Sequence, residues 1–109
     1  MYVNVDLAAT SNSVQLREPD HFREFKVVVV GHREERTSLE QALRPFGRLD
    51  NDGYAWIRRD AVERLAGERS TNPDWSGSLD GLVAYAQSHG WVDSAGDLRA
   101  HCEWTGEVA

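Results

Sequence analysis

Four histidines, one cysteine and a stock of carboxylates are the side chains of this 109-residue chain best suited to hold a metal or move a proton. His21, His32, His89 and His101 show no H-x-x-x-H or H-x-H spacing, so a zinc site would need distant residues to converge. A lone cysteine, Cys102, excludes an internal disulfide and a cysteine-only metal site. The run Asp50-Asn51-Asp52-Gly53 invites a calcium reading. With Gly53 at position 6 of an EF-hand loop, Arg48 falls at position 1 and Arg59 at position 12, where a bidentate Glu is needed. Cations at both ends have the wrong sign, so the run reads as a turn leading into a strand. No metal and no cofactor are expected.

Nucleophile signatures fare no better. His101 and Cys102 are adjacent in an alternating segment, and neighbouring side chains of a strand point to opposite faces. Cys102 goes with Leu98, Ala100 and Trp104 and is expected to be buried and inert. Gly31 belongs to no G-x-G-x-x-G or P-loop pattern, and the only lysine, Lys26, lies inside a strand. No G-x-S-x-G elbow is present. The acids sit in no apolar run that would raise their pKa.

Two groups of residues remain as candidates. The first is the loop His32-Arg33-Glu34-Glu35-Arg36, which follows a strongly apolar strand at its C-terminal end. Open α/β sheets tend to bind ligands there, so His32, Arg33 and Arg36 are candidate binding residues. The second is aromatic. Four tryptophans are many for this length. Tyr54 and Trp56 share one face of a short strand, opposite Ala55 and Ile57. Arg99, His101 and Glu103 share the polar face of the last strand. On one sheet face these would set an apolar wall beside an acid/base pair, with His101 as the acid/base and Glu103 and Arg99 as its polar partners.

The elements that must carry these residues follow from period and punctuation. Val3, Val5 and Leu7 alternate with Tyr2, Asn4 and Asp6, which predicts a strand. Val14-Gln15-Leu16 could pair back on it across the turn Thr10–Ser13. Residues 19–25 read either as one helical turn opening at Pro19 or as a lead into the next strand. Phe25–Val30, with four consecutive β-branched residues, predicts a strand that is apolar on both faces and therefore central. Three helices follow. The first starts near Thr37 with a Thr37/Glu40 capping box and stops at Gly47. The second starts at Asp60, with Glu63 completing the box, and stops at Gly67. The third follows Asn72-Pro73-Asp74, with Asp74, Ser76 or Ser78 as cap, and stops at Gly90. A strand Tyr54–Ile57 lies between the first two helices, and Leu98–Trp104 alternates cleanly as the last element. The 23 residues from Gly31 to Gly53 suffice for a right-handed crossover that would make the flanking strands parallel.

The expected class is α+β: one domain over residues 1–109, with a mixed sheet of four to five strands and about three helices mainly on one face. The expected core is Val3, Val5, Val27, Val29, Leu39, Leu43, Phe46, Ile57, Leu65, Leu82, Val83, Ala86 and Cys102.

Acidic residues outnumber basic ones 18 to 12, for a net charge of −6, which argues against nucleic acid as a partner. No apolar run approaches the length of a membrane span. The start Met1–Asp6 lacks the basic residues and apolar run of a signal peptide, so a cytoplasmic protein is expected. Arginine supplies all but one of the basic residues, a codon bias of GC-rich genomes, so a bacterial origin is expected. Two functions follow from the aromatic sheet face. The leading one is a protein-interaction module acting as a homodimer, with a further protein partner. The alternative is a small-molecule binder or enzyme using that face.

Overall fold

The computed structural model describes residues 1–11 and 13–106. Its sheet strands are β1 (Tyr2–Asp6), β2 (Val14–Arg17), β3 (Lys26–Val30), β4 (Gly47–Leu49), β5 (Ala55–Ile57) and β6 (Leu98–Trp104). Three helices connect them: α1 (Arg36–Leu43), α2 (Arg59–Ala66) and α3 (Pro73–Ser88). The strand order is β2-β1-β3-β6-β5-β4. β1, β3 and β6 run parallel, and the outer pairings are antiparallel. The class is the expected α+β with a mixed sheet.

Register explains the two faces. Val3, Val27 and Cys102 lie side by side, as do Ala55 with Ala100 and Ile57 with Leu98. All of these are buried, and all but Leu98 belong to one cluster with Leu39 and Leu43 of α1, Ala61 and Val62 of α2, and Trp75, Leu79 and Leu82 of α3. All three helices therefore bury their apolar stripes on the same sheet face. The opposite face carries Tyr2, Asn4, Lys26, Val28, Trp56, Arg99, His101 and Glu103, each half-buried or exposed. β3 is central, as its four valines require, with a parallel neighbour on each side.

The sheet has six strands rather than four to five. The addition is β4, where a helix stop was expected at Gly47. Three residues with Arg48 in the middle show no period that sequence reading can detect. Gly47 is needed there for space: a Cβ on it would lie 1.9 Å from the Trp56 carbonyl oxygen. A second correction concerns the pairing of β3 and β5. They are not parallel neighbours, because β6 inserts between them and runs antiparallel to β5.

Helix starts shift by a few residues. A 3₁₀ turn, Arg33–Glu35, precedes α1, and the Glu35 carboxylate accepts from the His32 backbone N–H at 2.9 Å. The box thus forms one turn before Thr37, and Glu40 instead pairs with Arg36 at 3.3 Å. Asp60 lies within the first turn of α2 and pairs with Arg58 and Arg64. Asn72 caps α3, accepting from Asp74 N–H at 2.9 Å, with Pro73 at the first helical position. Residues 19–25 form no helix but lead into β3. They are pinned there by the Trp75 indole, which donates to the Pro19 carbonyl at 2.8 Å and meets the Phe22 ring edge-on.

Of the expected core, Phe46, Leu65 and Val83 are only half-buried. Met1, Ala55, Ala61, Val62, Trp75, Leu79, Leu98 and Ala100 join it.

Candidate functional site

Period-two geometry in β6 sends Leu98, Ala100 and Cys102 into the core and Arg99, His101 and Glu103 to the open face. The register sets Trp56 beside Arg99, and Arg48 beside Trp56. Tyr54 precedes β5, and its ring meets His101 edge-on at 6.4 Å. The Arg99 guanidinium lies 4.4 Å from the centre of the Tyr54 ring and 5.9 Å from that of Trp91. Arginine is held well this way, because its planar cation is attracted to the ring quadrupole.

Trp91 reaches this cluster through the end of α3. Gly90 takes φ 75, a left-handed turn that favours glycine. The chain then doubles back, so that Trp91 N–H donates to the Ala86 carbonyl at 2.9 Å while Trp91 C=O accepts from Arg99 N–H at 2.8 Å. The indole stacks on His89 at 4.6 Å, and Tyr85 packs against both rings. Tyr85 and His89 are four residues apart at the end of α3, the spacing that places two side chains on one helix face.

A cleft of about 440 Å³ opens between these groups and the residues that enter β3. Phe25, Leu82, Ala86, Tyr85 and Trp91 supply apolar surface. Arg23, Glu24, Lys26, Arg99, His101 and Glu103 supply polar surface, with Tyr54 between the two sets. Its volume lies within the range of small-molecule sites, roughly 300–1,000 Å³. A smaller hollow of about 200 Å³, bordered by Arg33, Asp52 and Trp104, shares Tyr54 and His101 with it.

Charge pairing sorts the polar groups. Lys26 sits between Glu103 at 3.2 Å and Glu24 at 3.6 Å, and its pKa is raised chiefly by the Glu103 hydrogen bond. Glu103 is thus committed to Lys26. Arg99 and Arg23 form no ion pair among the described residues.

Asp50 anchors the aromatic side of the site. Its Oδ1 accepts from the backbone N–H groups of Asp52 at 2.9 Å and Tyr54 at 3.0 Å, and its Oδ2 from the Trp56 indole at 2.8 Å. Desolvation pushes this carboxyl upward. The Trp56, Tyr54 and Asp52 hydrogen bonds and the Arg48 charge outweigh it, so the pKa falls below the ordinary value. The Asp50–Gly53 run is the turn joining β4 to β5. Across the same edge, Arg48 lies over the Trp56 ring and pairs with Asp93 at 3.2 Å.

The structure brings together four of the candidates, Arg99, His101, Glu103 and Tyr54. Trp56 lies on the same face but outside the cleft, held by Asp50 and Arg48. His32, Arg33 and Arg36 lie outside the cleft, with Arg33 lining the smaller hollow together with Tyr54 and His101. His32 is exposed at the start of the 3₁₀ turn, Arg33 borders the smaller hollow, and Arg36 donates to the Asp50 carbonyl at 2.5 Å, bracing the β4–β5 turn. Sequence reading missed Arg23, Phe25, Tyr85 and Trp91 as cleft residues. The available signal was the Tyr85/His89 spacing before Trp91. Cys102 lines the smaller hollow but is buried, and desolvation pushes its thiol up to about 11. Among the described residues no group of three or more His, Cys, Asp or Glu could hold a metal ion, and no helix is long and apolar enough to cross a membrane.

No family model matches the chain, and neither curated proteins nor solved structures offer a match.

Proposed function

We propose that this protein binds a small organic molecule in the cleft between the end of α3, Trp91 and the Arg99–Glu103 stripe of β6. The observation that carries this reading is the way the walls are held before any ligand arrives. Trp91 is fixed by two backbone hydrogen bonds, Arg99 by two aromatic rings, and Lys26 by two carboxylates. A preorganised site forfeits little conformational freedom on binding. Binding is favoured over catalysis because Glu103 is engaged by Lys26 rather than by His101. The cleft also offers no serine, threonine or cysteine nucleophile.

A ligand that binds only the folded protein raises its melting temperature. A thermal-shift screen should therefore yield compounds whose effect disappears in Tyr85→Ala. Tyr85 is 54% exposed, so its truncation leaves the core intact. The same compounds should move the Trp91 indole resonance, assigned through Trp91→Phe. A broad screen with no compound acting at Trp91 refutes the reading.

A homodimer or a protein partner docked on the open sheet face is the second reading. It is favoured by the absence of any helix over that face among the described residues, with Val30 39% exposed on it. Against it, Val30 and Tyr85 are the only exposed large apolar side chains among the described residues, so the face lacks the broad apolar patch of a stable interface. Solution mass measurement decides. A dimer that Trp56→Glu converts to a folded monomer establishes the interface, since the substitution buries an unpaired charge there. A wild-type monomer removes the homodimer.

A further inference from the structure

Resting on the cleft as a binding site, we propose that its ligand class is a planar aromatic monoacid, with the carboxylate on Arg99 and the ring against Tyr85, Trp91 and Phe25. Three observations converge on this class.

The first is charge. Arg23, Lys26 and Arg99 border the cleft against two carboxylates, Glu24 and Glu103. Both carboxylates lie within ion-pair distance of Lys26, at 3.6 and 3.2 Å, and neither pairs with an arginine. The uncompensated charge in the cleft is therefore positive and belongs to arginine. The second is geometry. The Arg99 side chain makes no hydrogen bond or ion pair among the described residues, and its position is set by the rings of Tyr54 and Trp91. A guanidinium that lies over a ring at 4.4 Å and makes no hydrogen bond of its own among these residues keeps its N–H groups for a carboxylate, which it can grip with two parallel hydrogen bonds. The third is the apolar wall. Phe25, Tyr85 and Trp91 present three aromatic rings within one cleft of about 440 Å³. Such rings favour offset or edge-on contact with another ring. A polyanion is disfavoured by the net charge of −6, which repels extra negative charge at long range.

The test uses three probes with the 109-residue chain: 2-naphthoate, its uncharged analogue 2-naphthamide, and cyclohexanecarboxylate, which keeps the acid without the aromatic ring. Affinity is read by titration calorimetry, and location by the Trp91 indole resonance. Naphthoate should bind about tenfold or more tightly than either analogue at low salt, the scale of one charge-assisted contact. Its advantage over the amide should shrink as salt screens the charge. Arg99→Met keeps an unbranched stem on Tyr54 and should abolish that advantage while leaving naphthamide binding unchanged.

Equal affinity for naphthoate and naphthamide overturns the proposal, as does an advantage that survives Arg99→Met. In either case binding that still perturbs Trp91 leaves the cleft reading standing. If none of the three probes moves Trp91 while other screened compounds do, the ligand class alone fails. Should Arg99→Met not fold, the wild-type comparison of the three probes decides by itself.

Discussion

Asp50→Asn separates two jobs that one carboxylate performs. Oδ1 accepts from two backbone N–H groups and shapes the turn, while Oδ2 accepts from the Trp56 indole. An asparagine oxygen can replace Oδ1 and keep the turn. Its amide nitrogen then faces the indole N–H, donor against donor, so the Trp56 link alone is broken. Hydrogen bonds to charged groups contribute about 1.5–3 kcal/mol. Asp50 is half-buried, and water can reach part of the gap, so the expected loss is about 1–2 kcal/mol, at the low end. Asp50→Ala removes all three acceptor contacts and should cost more, about 2–4 kcal/mol. The pH dependence supplies the sharper check. Asp50 has its folded pKa lowered from the ordinary 3.8. Its contribution is therefore complete above that unfolded value and is lost as the pH falls through the lower folded value. Urea unfolding of wild type and Asp50→Asn, followed by near-ultraviolet circular dichroism, should show a gap at neutral pH that closes in acid. A variant within about 0.3 kcal/mol of wild type at neutral pH would refute the reasoning, since surface substitutions commonly fall inside about 0.5 kcal/mol. So would a gap that persists unchanged to the most acid pH at which the protein stays folded.

Leu43 is fully buried beneath the sheet, and Leu43→Ala should cost on the order of 2–5 kcal/mol in urea unfolding. Leu82 is buried too but borders the cleft, where water can fill the space left behind, so Leu82→Ala should fall at the lower end of that range. Cys102, buried and with its thiol pushed up to about 11, should react slowly with a disulfide reagent at pH 8 in the native protein and quickly in urea. Fast stoichiometric labelling of the folded chain would contradict its place on the core face of β6.

Local period determined much of this protein from sequence alone. Alternation in β1 and β6 assigns every side chain to a face, because a strand's side-chain period is two whatever the strand pairs with. Cys102 could therefore be placed inside, and Arg99, His101 and Glu103 outside with Tyr54, before any partner strand was known. The four valines of β3 predicted a central position, and β3 has a parallel neighbour on each side, although the face that carries Val28 and Val30 stays open. Caps were less legible. Thr37 reads as the cap of α1, and Asp74, Ser76 or Ser78 as the cap of α3. The box instead forms at His32 and Glu35 and the α3 cap is Asn72, because only the path of the preceding chain decides which N–H groups lack partners. Strand order lay beyond local reading altogether. β6 enters between β3 and β5 from the far end of the chain, and no residue of β3 or β5 signals that their shared place will be taken. The cleft depends on that insertion. It gathers Phe25, Tyr85, Trp91 and Arg99 from separate parts of the chain, and each has an ordinary local explanation as a strand lead-in, a helix face, a helix end or a polar strand face. Their joint chemistry exists only once tertiary packing sets an arginine against two rings with no carboxylate paired to it.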